Sequence, residues 1–436
     1  MTNTSGSPIN PPISSPSPPL SDDECEHEPV PAHRRHSLLS VTLVWIGFPL
    51  VVTGGFLGSQ LTNAMGFSKA LLTIVIGNLV LFGYVGAQSA IAARTGHSFS
   101  LLTRGVFGPN AARLVSGFLS MLVVGWFAVQ TGLAGQGLHD MLGWSATLSC
   151  LVTGILFTAL TMMGIRVLSI VGVISVPFFI RMGLAAVAIT LHHYDWASIS
   201  SFAGSQGAKA LHLGVGITMV ISLFIDSGTL TADFTRWAKN PRHALIATAS
   251  AFPLAHGISM VLGALVTAAG TASDGNFAAV VSGQDGWLVP VAAAFFVLNC
   301  ASVTMHCLYN AATGWSAITG SRFKVMTILF GTIGTVAAIA GVWDLLIEWL
   351  SLLGIVVPGI GGVIIAHFWR NGLTLAPNPR AALGGWGAAI VVAAIVNAWA
   401  PQLSVSVIAM LVAFVTFWLL DAASSPKTAR ASLDTD

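Results

Sequence analysis

Twelve stretches of this chain are each close to twenty residues long and nearly free of charge. They span residues 38–61, 67–93, 112–135, 145–164, 167–192, 211–234, 243–270, 287–313, 324–343, 345–369, 383–400 and 404–421. About 20 apolar residues are what an α-helix needs to cross the hydrocarbon core of a bilayer. Lipid offers no hydrogen-bond partners, so each spanning segment must satisfy its own backbone, which a helix does. Only 8% of the 436 residues are charged, whereas soluble domains carry about 25%. The chain therefore reads as an all-α membrane protein with twelve transmembrane helices.

The charges that remain give an orientation. With the N-terminus placed in the cytoplasm, 15 of the 18 Lys and Arg fall on cytoplasmic connections, as the positive-inside rule requires. Lys69 and Lys209 fall outside and Arg181 lies within the fifth segment. Both termini are expected in the cytoplasm of a multi-pass plasma-membrane protein. Residues 1–37 are rich in Pro and Ser, then acidic, and have no basic stretch leading into an apolar core. They read as a disordered tail rather than a signal peptide. Residues 38–421 form the membrane domain and 422–436 a short second tail. A net charge of +2, split between loops, gives no reason to expect nucleic acid as a partner. Nothing in the sequence sets an oligomeric state.

Within this frame, the stretch Ser222-Leu-Phe-Ile-Asp-Ser-Gly-Thr-Leu-Thr-Ala-Asp-Phe-Thr-Arg-Trp237 stands out. It places Asp226 deep in the sixth segment, followed at once by Ser227, Gly228 and Thr229. Gly costs helix stability and small hydroxyl side chains compete for backbone hydrogen bonds, so a helix break is expected near Asp226 to Thr229. Broken backbone at membrane depth persists where it lines a cavity or is buried in protein. The first segment holds a second break composition, Phe48-Pro-Leu-Val-Val-Thr-Gly-Gly55. Two interrupted helices five segments apart predict an inverted repeat of five spans each, with substrate at the midplane between the breaks. Val357-Pro-Gly-Ile-Gly-Gly362 in the tenth segment predicts a bend that can serve as a gate. Small-residue packing of helices would account for each Gly pair alone; their symmetric placement favours the transport reading.

Several side chains can carry chemistry. Trp126 and Gln130 are four apart in the third segment and share a helix face. An indole beside a primary amide suits a flat heteroaromatic ring, one stacking and the other bonding its edge. The eighth segment, Asn299-Cys-Ala-Ser-Val-Thr-Met-His-Cys-Leu-Tyr-Asn310, is unusually polar, with Asn299, Ser302 and His306 on one expected face. An Asp and a His facing one cavity would form a proton relay. Arg181 needs a partner if it is buried. Either it pairs with Asp226 or Asp233, or Asp226 is left to bind a cation or substrate. Cys25, Cys150, Cys300 and Cys307 show no metal spacing. No phosphate loop or nucleophile elbow is present, so neither an ATP-driven pump nor an enzyme is expected.

The run Ser227-Gly-Thr-Leu-Thr-Ala-Asp-Phe-Thr-Arg236 closely resembles the sixth span of bacterial cytosine permeases, which belong to the nucleobase:cation symporter-1 family. Gly125-Trp-Phe127, Ile76-Gly-Asn78 and Pro358-Gly-Ile-Gly-Gly-Val-Ile-Ile-Ala366 resemble the third, second and tenth spans. The similarity runs from about residue 38 to 420 in one register. It implies a LeuT-type fold of ten spans in two inverted repeats plus two further helices. It also implies secondary active import of a nucleobase-like heterocycle by cation symport, with no cofactor. The aromatic pair that sandwiches the base falls on Trp126 and Phe224. Gln130 matches an amide used by hydantoin, allantoin and purine relatives. Asp226 and Ser227 fall in the substrate segment, and Thr304 and His306 stand where cytosine carriers have two Asn. The first-span carbonyls around Phe48 to Val52, with the eighth-span pair Ser302-Val303, are where sodium-coupled members hold the ion.

The departures bear on substrate and ion. Asp226 replaces a small hydroxyl residue, and Val303 replaces the second hydroxyl of the sodium site. The sequence therefore favours a proton carried by Asp226 over sodium held near Val51 and Ser302, with Phe48 at the same break. Asp226 also favours a basic ring, since a buried carboxylate pairs with a protonated or amino-bearing edge. Cargo alternatives on the same fold are a thiamine-precursor pyrimidine, an allantoin- or hydantoin-like ring, or another cationic heterocycle. A membrane-embedded enzyme or structural subunit would be a different class, but the short loops carry no catalytic cluster.

Overall fold

The computed structural model describes residues 28–205 and 210–424. Most of the expected N-terminal tail, Lys209 and residues 425–436 lie outside the described residues. Apart from the short connecting helices Trp196–Ser200 and Phe277–Ser282, the α-helices are α1 (Leu38–Gly47), α2 (Val52–Met65), α3 (Phe67–Thr95), α4 (Phe99–Leu142), α5 (Ala146–Met162) and α6 (Ile165–His193). They continue with α7 (Leu213–Ser222), α8 (Ile225–Thr229), α9 (Ala232–Thr235) and α10 (Pro241–Ala268). The last six are α11 (Leu288–Thr319), α12 (Phe323–Ile339), α13 (Leu346–Val356), α14 (Pro358–Asn371), α15 (Pro379–Trp399) and α16 (Val405–Ser424).

Each of the twelve apolar segments falls on one or more of these helices. Among the described residues, eight helices are long and apolar enough to cross a membrane, and α1 with α2 makes a ninth, bent by 58°. α5, α7 and α12 are shorter apolar helices. The chain is thus an all-helical membrane protein with eight to nine candidate spans by length. α5 and α12, each of 17 residues, fall short of the roughly 20 that a perpendicular crossing takes.

Local chemistry explains where the helices stop. Ser37, Ser98 and Ser145 cap N-termini by accepting backbone N–H groups. Gly108, at φ 78°, divides α4 just before Pro109; only glycine takes that backbone conformation without strain. Proline interrupts the first span at Pro49 and the tenth at Pro358, because it brings no N–H and its ring crowds the preceding turn. At the tenth-span interruption the Trp386 indole donates to the Val356 carbonyl (2.8 Å). α10 carries a wide π turn over Ser250–His256 that includes Pro253.

The packing places both breaks at the centre. α2 lies against the second half of α10, α4 against α11, and α3 against α7 and the first half of α10. Phe48, Phe224, Phe234, Phe252 and Trp45 form a contiguous aromatic cluster between the breaks, with ring centroids 4.8–6.5 Å apart. Stacked, tilted and edge-to-face contacts among these rings add to their burial.

Candidate functional site

At the first-span break the chain leaves helical geometry between Gly47 and Val52, where Val51 has φ −124° and ψ 144°. The freed backbone groups are taken up by two side chains. Asn299 of α11 accepts the Val52 N–H through Oδ1 (2.9 Å) and donates through Nδ2 to the Leu50 carbonyl (2.9 Å). The same amide donates to Ser175 of α6 (3.2 Å). Ser259 of α10 donates its hydroxyl to the Val51 carbonyl. One primary amide, carrying a donor and an acceptor, satisfies two groups that lipid would leave bare.

The sixth span breaks at Leu223 and Phe224, where Phe224 has φ −133° and ψ 16°. α8 begins immediately after it and holds Asp226 and Ser227. Asp226 is fully buried. Its Oδ1 accepts the Ser227 N–H (2.7 Å) and the Ser227 hydroxyl (3.4 Å). The Trp126 indole lies close enough to interact with the carboxylate, yet Oδ2 makes no hydrogen bond. This break therefore retains an open acceptor at the centre of the bundle.

Between the breaks is a cavity walled by Phe48, Val51 and Thr53 of the first span, Trp126 and Gln130 of α4, and Leu223, Phe224 and Ser227 of the sixth span. Val303 and Cys307 of α11 complete it. Its room is about 10 Å³, roughly what one water molecule occupies. A flat heterocycle enters only if the walls separate. Thr53 donates its hydroxyl to Gln130 Oε1 (2.9 Å), fixing the amide against the first span. The cavity is lined by three aromatic side chains, an amide and two hydroxyls, with the carboxylate just behind.

Six of the residues singled out from sequence meet here: Phe48, Val51, Trp126, Gln130, Phe224 and Ser227 line the cavity. Asp226 lies behind them. Thr304 does not reach the cavity; it is buried and donates to the Cys300 carbonyl (2.6 Å). His306 also lies outside it. Its Nδ1 donates to the Ser302 carbonyl (2.6 Å) and its ring stands edge-on to Phe48 at 6.1 Å, and no hydrogen bond joins it to Asp226. Ser302 faces Gly172 of α6, where an added methyl would sit 3.8 Å from its hydroxyl. The α11 residues that face the cavity, Val303 and Cys307, are one helical turn apart on the neighbouring row.

Arg181 pairs with neither acid considered for it. It sits on an exposed face of α6 beside Ile180 and Leu184, where an arginine can extend its head toward the interface. Asp233 instead accepts the Phe99 N–H (2.9 Å) at the start of α4. Arg370 and Asp421 form an ion pair at 2.9 Å. No group of three His, Cys, Asp or Glu side chains gathers as metal ligands among the described residues. Sequence reasoning gave no role to Thr53, Ser259 or Tyr84, and named Asn299 only as part of a polar face.

Residues 29–374 match the family described as permeases for cytosine/purines, uracil, thiamine and allantoin. The cytosine permease of Escherichia coli K12 is 30% identical over 356 residues, covering 80% of this chain and 82% of the permease. Among solved structures, Mhp1 in an inward-facing conformation superposes with a TM-score of 0.76 at 15% identity, over 91% of this chain and 93% of Mhp1. Mhp1 in a closed conformation with bromovinylhydantoin bound, described as a nucleobase-cation-symport-1 family transporter, gives 0.71 at 17% identity, over 94% and 98%. The arrangement of helices is thus the LeuT-like one of these transporters.

Proposed function

This chain belongs to the cytosine/purine permease family of transporters, not to an enzyme family, and from that premise we propose that it imports a flat nitrogen heterocycle of the cytosine or purine class by cation symport. The observation that carries the reading is the cavity between the two helix breaks, walled by Trp126 and Phe224 with Gln130 and Ser227 beside them. The aromatic faces stack on the ring while the amide and hydroxyl bond its edge, and remote contacts orient it. Alternating access opens the walls first to one side and then to the other. In this reading α5, α12 and the broken run α7–α9 complete twelve crossings, and both termini are cytoplasmic. The family description also includes thiamine and allantoin, so a thiamine-precursor pyrimidine or an allantoin-like ring is the second reading, favoured by an amide at position 130. Uptake of labelled cytosine by whole cells, in competition with adenine, allantoin and hydroxymethylpyrimidine, ranks these. If cytosine is not accumulated, and none of the three competitors is when labelled in its turn, the heterocycle reading fails.

The coupling ion in this proposal is the proton, with Asp226 as its carrier. Three observations support it. The Leu50 and Val51 carbonyls each already accept a side-chain hydrogen bond. Ser302 is directed to α6. Asp226 keeps an unbonded carboxylate oxygen beside the cavity wall. The acid takes a proton in the outward-open state and releases it inward. Proteoliposomes given sodium and proton gradients separately decide the matter. Accumulation driven by sodium alone, insensitive to a protonophore and retained in Asp226→Asn, would overturn the proton assignment and leave the cargo reading intact.

A further inference from the structure

Tyr84 of α3 is buried where the second, sixth and tenth spans meet, away from the cavity walls. Its hydroxyl sits 2.8 Å from Thr229 Oγ1 and accepts the Gly361 N–H at 3.1 Å. Thr229 commits its own proton to the Ile225 carbonyl (2.7 Å), so its oxygen accepts from Tyr84. Tyr84 thereby gives its one proton to Thr229 and uses a lone pair for Gly361. The relay runs from the first turn of α14, through Tyr84, to α8. Ile225, at its end, lies between Phe224 of the cavity wall and Asp226.

The α14 end of the relay is built for this contact. Just after the Pro358 interruption the first turn tightens, with the Ile360 N–H on the Val357 carbonyl (2.9 Å) and the Gly361 N–H turned to Tyr84. A methyl at position 361 would collide with the Tyr84 hydroxyl and come against Gln88. Glycine therefore permits the close approach. A rotation of α8 that carries Phe224 and Ser227 displaces Thr229, and a tilt of α14 about Val357 withdraws Gly361. Neither movement leaves the relay intact.

We propose that Tyr84 is a positioning residue that ties the tenth-span helix to the cavity-lining segment of the sixth span, so that α14 keeps the position seen here only while α8 keeps its own. The inference rests on the alternating-access reading in taking α14 to be a moving part, and its test uses no substrate. Cys307 lines the cavity and Cys150 lies in α5, so the protein carries a reporter and an internal standard. Membrane vesicles are treated with a small methanethiosulfonate reagent, and labelling of each cysteine is followed by peptide mass spectrometry.

Tyr84→Phe and Thr229→Val should each raise the labelling rate of Cys307 about fivefold to tenfold, the effect of losing one hydrogen bond from the arrangement seen here. Cys150 should label at the wild-type rate, which general loosening of the fold would not allow. The double variant should label no faster than either single, because both remove the same link. Thr229→Ser keeps the hydroxyl and should match wild type. Unchanged Cys307 labelling in the single variants, or a double variant equal to the product of the two, overturns the proposal. So does an equal rise at Cys150.

Discussion

The two helix breaks at the centre of this molecule have similar compositions and are satisfied in opposite ways. At the first-span break the Leu50 and Val51 carbonyls and the Val52 N–H are all taken by Asn299 and Ser259. At the sixth-span break the Asp226 carboxylate keeps one oxygen unbonded, and Ser227 lines the cavity. One break is a clamp that joins α11 and α10 to the first span. The other is a polar edge left for something else to complete. A break in a membrane helix thus has two uses, and what satisfies its freed groups separates them.

The sharpest way to break this comparison is to open the clamp. Asn299→Leu removes the partner of two buried backbone groups at once. Each unsatisfied buried group costs about 1–3 kcal/mol, so stability should fall by about 2–5 kcal/mol. Thermal unfolding of the purified protein in detergent would register this as a lowered midpoint. Asn299→Asp can still accept from Val52 but no longer donate to Leu50, and should fall between the two. A wild-type midpoint in Asn299→Leu would mean that the first-span break needs no clamp.

The composition of both breaks was legible in the sequence, as were the positions of all the apolar segments. Pro49, Gly54-Gly55 and Ser227-Gly228 are local signals, and local backbone chemistry carries them directly. What satisfies each break was not legible, because Asn299 reaches Leu50 and Val52 across almost 250 positions of chain. The row of α11 that lines the cavity was not legible for a related reason. The resemblance pointed to Thr304 and His306, and both bond carbonyls one turn back in their own helix. Apolar Val303 and Cys307 face the cavity. The depth of Arg181 was read from its place in an apolar run, whereas its exposure depends on which face α6 turns outward. The lengths of α5 and α12 were overestimated because hydropathy does not mark helix ends.

A smaller effect is expected at the open edge. Trp126→Ala removes one aromatic wall of the cavity without touching the clamp. Stacking on an aromatic side chain contributes about 1–3 kcal/mol per base, so the Kd of the transported heterocycle should rise by that equivalent. The thermal midpoint should shift less than in Asn299→Leu. Equilibrium binding to purified protein checks this, and an unchanged Kd in folded Trp126→Ala would remove stacking from the reading of the site. If instead the midpoint fell as far as in Asn299→Leu, the two breaks would not differ in kind.

The smallest expected effect lies where the two regions touch. Thr53 follows the clamped break, and its hydroxyl crosses the cavity edge to Gln130 Oε1 (2.9 Å). With that oxygen engaged, the proposed site would offer a ligand the NH₂ group of the amide and favour a ring edge rich in acceptors. A terminal amide torsion is roughly two-fold, so without the hydroxyl the amide can present either end. Thr53→Val keeps the side-chain shape and loses only the donor. The discrimination between cytosine and allantoin should change by about 0.5–1.5 kcal/mol, the usual net worth of one hydrogen bond. Thr53→Ser should restore wild-type ranking. Competition uptake measures the ranking, and thermal unfolding measures whether the clamp has been disturbed. An altered midpoint with unaltered ranking would assign Thr53 to the clamp. Altered ranking at a wild-type midpoint would show that the first span, though fixed at its break, still instructs the site one residue later.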